Sequence, residues 1–309
     1  MRPEGVIVPL ITPVDEQGRL DETGLCRLIE HLVGGGISHV FPAGTTGEFA
    51  RLSDAVRHEL FRLTVKYSRG RAKVYAGISD TSLEAVLDHL RAAEAAGVDA
   101  CVLSLPYYYP ASPSEAVRWF STVLEATELP VVLYNIPGNV GQILAPEVVE
   151  RLADKVAGLK DSGGDPDLMK RYLKALGGQG RTASFLAGSE EVLTEAVSLG
   201  ADGVVPSMAN VFPHLWSLLW EYRQDPVYFP SLAKLVNRVN ELNSAFSSPI
   251  GSILWKKRLL ALQGICLSEA VFPANALDPS FDERLQHTRW EVERVIQWFR
   301  GEVEIKAGG

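Results

Sequence analysis

The sequence predicts an α/β protein of the (β/α)8 TIM-barrel class with a helical C-terminal extension. Three observations carry that expectation. Short runs rich in Val, Ile and Leu recur at intervals of roughly 25–30 residues. Each is followed by a loop and an amphipathic helical stretch, the order of a βα unit. The runs are continuous rather than alternating, which marks strands covered on both faces, as in a parallel sheet. Eight such units close into a barrel. A doubly wound sheet is the alternative, but no GxGxxG turn accompanies the units.

The elements follow in order. "GVIVPLITPV" (5–14) is the first strand and "DETGLCRLIEHLVGGG" (21–36) its helix. "HVFPAG" (39–44) precedes "SDAVRHELFRLTVKYS" (53–68), which Ser53 caps. "KVYAGIS" (73–79) precedes "SLEAVLDHLRAAEAAG" (82–97), with Ser82 as N-cap and Gly97 at its end. "ACVLSLP" (100–106) leads to "SPSEAVRWFSTVLEAT" (112–127). There Ser112 and Glu115 have capping-box spacing and Pro113 suits the first turn. "PVVLYNIP" (130–137) precedes "APEVVERLADK" (145–155), and "VAGLKDS" (156–162) is the sixth strand. "SFLAGS" (184–189) is followed by "SEEVLTEAVSLG" (189–200), which Gly200 ends. "GVVPSMAN" (203–210) is the eighth. From about 228 the chain reads as helical throughout, clearest in "LAKLVNRVNELNSAF" and "DERLQHTRWEVERVIQWFR". No linker or low-complexity stretch interrupts it. A barrel over 1–224 and a helical extension over 225–309 packed on it, as one functional domain, is therefore expected.

Composition narrows the function. The net charge is −8. The nearest thing to a basic run, "WKKR" (Trp255–Arg258), reads as the polar edge of a helix. Binding to nucleic acid or to an anionic membrane is disfavoured. No stretch reaches the roughly 18 apolar residues of a membrane span, and the N-terminal apolar run is too soon broken for a signal peptide. The three cysteines, Cys26, Cys101 and Cys266, are far apart, which fits reduced thiols in a cytoplasm. The six histidines show no HxH, HxxxH or HExxH spacing, so no histidine-built metal site is expected.

In this fold the active site lies at the C-terminal strand ends. Those ends carry "GTTGE" (44–48), "PYYYP" (106–110), "YNIP" (134–137), Lys160, "GSEE" (188–191) and "PSMAN" (206–210). Lys160 is the one lysine so placed. Desolvation lowers the pKa of a lysine among apolar walls, and the neutral amine condenses with a ketone to a Schiff base. The alternative is a rim lysine paired with a carboxylate such as Asp161. Tyr134 ends the neighbouring strand, and such chemistry needs protons moved repeatedly. A tyrosine serves if neighbouring hydroxyls such as Thr45, Thr46 and Tyr108 relay them; otherwise it is a packing residue. In "GTTGE", Gly44 and Gly47 allow close backbone approach, and two hydroxyls with backbone N–H groups make a carboxylate cradle. The same residues also suit a plain tight turn.

"GTTGE", "PYYYP", "YNIP" and "GLKDSGGD", in this order and spacing, resemble the dihydrodipicolinate synthase / N-acetylneuraminate lyase family of class I pyruvate-dependent aldolases. The resemblance covers essentially the whole chain. It implies a (β/α)8 barrel with a helical extension, a cytoplasmic homotetramer built as a dimer of dimers, and a covalent Schiff base with no metal or organic cofactor. Position by position it implies that Lys160 forms the Schiff base. Tyr134 relays protons and touches the substrate carboxylate, and Thr45 stands between the two tyrosines of the relay. Tyr108 is inserted from an adjacent subunit. Thr46 with its backbone binds the pyruvate carboxylate, and Val205 turns a backbone carbonyl to the site.

The departures carry information about the second substrate. Synthases that accept aspartate semialdehyde carry an arginine where this chain has Asn139, in "YNIPGNVG". A neutral amide lacks arginine's charged fork. Phe49, Asp54 and Arg57 also replace the small and histidine residues of the lysine-feedback site, so such feedback is not expected. "GSEE" resembles the segment in which neuraminate lyases meet the tail of the sugar. Glu190 and Glu191, with Ser162, are therefore expected to accept from the substrate's hydroxyls, with Gly188 also at the substrate; the alternative for Glu190 and Glu191 is favourable charge at a helix start. The expected partners are pyruvate and a small aldehyde or hydroxy-keto acid. The expected reaction is a 2-keto-3-deoxy sugar acid or 4-hydroxy-2-oxoglutarate type aldol cleavage or formation. The alternatives are dihydrodipicolinate synthesis, a dehydratase or hydratase-aldolase on the same Schiff base, and a non-catalytic keto-acid sensor.

Overall fold

The computed structural model describes residues 2–178, 180–244, 249–271 and 281–307. Its strands are short. They are β1 Gly5–Pro9, β2 His39–Phe41, β3 Lys73–Gly77, β4 Ala100–Ser104, β5 Val131–Asn135, β6 Gly158–Asp161, β7 Ser184–Ala187 and β8 Gly203–Val204. The helices are α1 Glu22–Gly34, α2 Asp54–Ser68, α3 Leu83–Ala96, α4 Pro113–Leu124, α5 Pro137–Val140, α6 Pro146–Leu152, α7 Pro166–Ala175, α8 Leu193–Ser198, α9 Pro213–Glu221, α10 Phe229–Ser244, α11 Pro249–Leu262 and α12 Phe281–Ala307.

Every residue of β1, β4, β5, β6 and β7 is buried, as the continuous apolar runs require. The eight strands pair in parallel in chain order, and β8 pairs with β1 to close the barrel. Its interior is filled by Ile7, Phe41, Tyr75, Val102, Val132, Tyr134, Leu186 and Val205, among others. The expected caps are present. Ser53, Ser82 and Ser112 each accept a backbone N–H of the helix they precede, and Ser112 with Glu115 forms the full capping box. Gly97 ends α3 with φ +77°.

The strands stop sooner than the apolar runs do. In the barrel ladder the run 5–14 pairs only to Pro9, with Val14 bridging back to Leu20, and the run 203–210 only to Val204, after which Ser207–Asn210 forms a 3-10 turn. Pro13 and Pro206 lack the N–H a ladder needs. The expected helix 189–200 is a 3-10 turn, Glu190–Val192, followed by the short α8.

The chain forms two compact units. The first, Met1–Thr12 with Ile37–Ser207, holds the barrel. The second, Pro13–Gly36 with Met208–Gly309, gathers α1 and α9–α12. Within the second, Ser217 donates to the carbonyl of Gly35 (2.8 Å), and Tyr222, Tyr228 and Phe299 meet edge to face at 5.0–5.4 Å. Two expectations are corrected here. Helix is not continuous from 228, because α11 gives way to turn and loop over 263–271, with Gly264 at φ +71°. "WKKR" is not a polar edge either, since Lys256 and Lys257 are buried. Lys256 donates to the carbonyl (3.0 Å) and hydroxyl (2.6 Å) of Ser252, and Lys257 to the carbonyl of Glu269 (2.7 Å). A long aliphatic stem with a satisfied ammonium tolerates burial that a bare charge would not. Residues 245–248, 272–280 and 308–309 of the expected extension lie outside the described residues.

Candidate active site at the strand ends

Strand register assembles the centre. Tyr134 on β5 lies opposite Lys160 on β6, and Lys160 lies opposite Leu186 on β7. Side chains alternate along a strand, so the next pair, Asn135 and Asp161, belongs to the other face. There Asn135 Nδ2 donates to Asp161 Oδ1 (2.7 Å), as does the N–H of Gly163 (3.0 Å), while Asn135 Oδ1 accepts from the N–H of Leu144 (2.9 Å). Asp161 is thus bound to the scaffold on the face opposite Lys160, and no ion pair joins the two among the described residues. The rim-pair alternative loses its geometric basis.

Lys160 is 5% exposed. Its Nζ lies 3.4 Å from the centre of the Tyr134 ring and donates to Ser162 Oγ at 2.8 Å. Ser162 Oγ is 3.5 Å from Tyr134 Oη, and Thr45 Oγ1 approaches the same Oη to 3.4 Å. Burial pulls the Lys160 ammonium below its ordinary range; the negative potential of Tyr134, Asp161 and Glu190 opposes this only in part. For Tyr134, burial pushes the phenol up. The Lys160 charge and the hydroxyls of Ser162 and Thr45 outweigh it, so the phenol ionises more readily than usual. Both shifts move these buried groups toward the protonation changes that acid–base work needs.

The "GTTGE" segment closes on itself. The N–H groups of Gly47 (3.0 Å) and Phe49 (3.4 Å) bond the carbonyl of Gly44, and that of Glu48 bonds the carbonyl of Thr45 (3.0 Å). A Cβ on Gly47 would lie 2.8 Å from the carbonyl oxygen of Leu10, whereas the glycine lets Thr12 Oγ1 donate to the Gly47 carbonyl at 2.7 Å. A Cβ on Gly44 would press on the Phe41 ring at 3.0 Å. Both glycines are required by close approach, and Thr45 and Thr46 are left half-buried at the turn's tip.

A cavity opens beside Thr45 and Tyr134, walled further by Ser79, Ser104, Tyr107 and Asn139, and none of its lining residues is charged. Val205 is buried at the end of β8, its N–H bonded to the Ala187 carbonyl (2.7 Å). Glu190 is half-buried and accepts from Ser207 Oγ (2.9 Å). Gly188 backs onto the lysine: a Cβ there would collide with Ser162 Oγ and lie 2.9 Å from Lys160 Nζ. Tyr108 does not join the cluster. It is 83% exposed, at φ +86°, with its ring 5.0 Å from that of Tyr109.

Sequence reasoning missed several neighbours. Ser162, expected at substrate hydroxyls, also accepts from Lys160 Nζ, a bond the sequence did not suggest. The Asn135–Asp161 pair was readable from strand alternation once the register was known. Arg57 is buried and donates to the carbonyls of Gly77 (3.1 Å from Nε) and Ser79 (3.0 Å from Nη2), two residues of the cavity wall. Burial pulls its pKa down to about 10, opposed by Asp80. Among the described residues no group of three or more His, Cys, Asp or Glu side chains is gathered for a metal ion. No described helix is long and apolar enough to cross a membrane.

Comparison with known proteins agrees with the fold. Residues 2–273 match the dihydrodipicolinate synthetase family. The 4-hydroxy-tetrahydrodipicolinate synthase of Hyphomonas neptunium is 32% identical over 276 residues, 89% of this chain and 93% of the relative. That of Methanopyrus kandleri is 33% identical over 222 residues, covering 71% and 73%. Among solved structures, the 4-hydroxy-tetrahydrodipicolinate synthase of Methylacidiphilum fumariolicum superposes with a TM-score of 0.86 at 30% identity, over 96% of this chain and 99% of that one. YagE, a prophage protein of the dihydrodipicolinic acid synthase family from E. coli K12 solved with pyruvate, gives 0.87 at 25% identity, over 94% and 98%.

Proposed function

The chain belongs to the dihydrodipicolinate synthetase family of pyruvate-dependent lyases, and from that premise we propose that Lys160 forms a Schiff base with pyruvate and joins it to, or releases it from, an aldehyde. The observation that carries this is the buried Lys160 amine, lowered in pKa and set against Tyr134. The neutral amine attacks the C2 carbonyl, and the resulting iminium is an electron sink through which the C3–C4 bond forms or breaks as an enamine. Tyr134 carries the proton to and from the C4 oxygen. Thr45 and Thr46, with their backbone, hold the pyruvate carboxylate in the turn that Gly44 and Gly47 make possible. Val205 offers its carbonyl. No organic cofactor takes part.

Two readings of the second substrate have support. The relatives' names favour condensation with aspartate semialdehyde, the synthase reaction, and this has the broader backing. The uncharged cavity wall with Asn139 favours an aldehyde without a carboxylate; Ser162, Gly188 and Glu190, on the Lys160 side of the site, are assigned to its hydroxyls. A desolvated carboxylate facing a neutral wall lacks its counter-charge. Incubating the enzyme with pyruvate and either aspartate semialdehyde or a panel of neutral hydroxyaldehydes, read by product mass, separates them. No condensation product with any aldehyde would defeat both.

Assembly belongs to the same proposal. A tyrosine held at positive φ with an exposed ring costs strain without a return inside one chain. Insertion of Tyr108 into the site of a second copy, in a homotetramer, accounts for it.

A further inference from the structure

Ser162 stands two residues after Lys160, where the chain leaves β6. Its position is set on both sides by backbone bonds: its own N–H to the Asn135 carbonyl (2.9 Å), and that of Gly188 to the Asp161 carbonyl (2.7 Å). The side-chain bonds run in one direction. Lys160 Nζ donates to Ser162 Oγ at 2.8 Å, and Ser162 Oγ donates to Tyr134 Oη at 3.5 Å. Nζ itself sits over the face of the Tyr134 ring, 3.4 Å from its centre, close enough for the phenol to influence it directly as well. The serine hydroxyl is the group that bridges amine and phenol. A second observation is independent of these bonds. The facing residue is Gly188, and any Cβ there would fall on Ser162 Oγ and crowd Lys160 Nζ at 2.9 Å and Cε at 3.0 Å. The opposite wall is bare where the bridge needs room.

We propose that Ser162 relays a proton from Lys160 Nζ to Tyr134 as the Schiff base forms. This rests on Lys160 being the amine that attacks pyruvate. In the step, the Nζ lone pair forms a bond to C2 and the carbonyl π pair moves onto oxygen. Nitrogen is then positive and oxygen negative. One Nζ proton passes to Ser162 Oγ, the serine's own proton passes to Tyr134 Oη, and the phenol proton passes to the new alkoxide. The product is a neutral carbinolamine, and each hydroxyl regains the proton it gave. Without the serine, Nζ loses the hydroxyl it donates to, and the proton must take a less well positioned route.

The test is the rate of Schiff-base formation in the full chain, by mixing with pyruvate, quenching with borohydride at timed intervals and weighing the adduct at Lys160. Ser162→Ala is expected to slow formation by about 10- to 100-fold, since positioned proton transfer contributes on that order or more. The final extent of trapping should be unchanged, and the solvent deuterium isotope effect altered. Ser162→Thr, which keeps the hydroxyl, should recover most of the rate. Ser162→Gly serves the same purpose should the alanine variant fail to fold. Wild-type rates in the alanine or glycine variant, or a threonine variant as slow as alanine, would overturn the relay and leave the lysine reading standing. No adduct in the unaltered chain would overturn both.

Discussion

Lys160 and Tyr134 are buried side by side, and each shifts the other's pKa. Burial lowers the folded-state pKa of Lys160 below its unfolded value of about 10.4. Between those two values the unfolded chain binds the extra proton. Stability therefore rises with pH across that window, and the full penalty is present below the folded pKa. Lys160→Met removes that buried charge. It should stabilise the fold by about 1 kcal/mol near neutral pH and flatten this pH dependence in thermal melts, while abolishing pyruvate adducts. The same lowering predicts that Schiff-base formation accelerates as pH rises through a midpoint below that of free lysine. Tyr134→Phe keeps the ring beneath Nζ and removes the proton carrier. Its kcat should fall by roughly 10²- to 10⁴-fold, measured with pyruvate saturating. Lys160, Tyr134 and Thr45 were legible in the sequence because each stands at the end of an apolar run. The Asn135–Asp161 bond was not, because it depends on which residue of one strand faces which of the next.

At the scale of elements, the turn after β2 is the most demanding piece. Gly47→Ala places a methyl 2.8 Å from the main-chain oxygen of Leu10, which is not free to swing away. A cost of about 1–3 kcal/mol in denaturant unfolding is expected, together with weaker pyruvate binding as Thr45 and Thr46 shift. Ser112→Ala is the contrasting case. It removes the capping box of α4, so a loss of about 1 kcal/mol with little change in turnover is expected. Helix starts were readable because Ser, Pro and Glu act on their own local backbone. Strand ends were less so: the apolar runs 5–14 and 203–210 continue past the ladder as buried loop and 3-10 turn. Hydrophobicity reports burial, not pairing.

For the whole molecule, eight regular βα units declared the barrel, and barrel closure brings "GTTGE", Tyr134 and Lys160 together from distant stretches of sequence. The buried pair Lys256 and Lys257 shows the limit of such reading, since charge alone marked them as solvated while carbonyls of Ser252 and Glu269 receive them. The role proposed for Tyr108 lies at this scale because it needs a second copy. Tyr108→Phe and Lys160→Ala chains, each impaired alone, should regain activity when unfolded and refolded together, as some sites then pair an intact lysine with an intact tyrosine. Mixed assemblies no more active than the separate variants would place Tyr108 outside the relay. The central claim is that Lys160 is the amine that holds pyruvate. Borohydride reduction in the presence of pyruvate, followed by peptide mapping, tests it most directly. One adduct of reduced pyruvate mass is expected, on Lys160 and absent from Lys160→Ala. An adduct elsewhere, or one that survives that substitution, would contradict it.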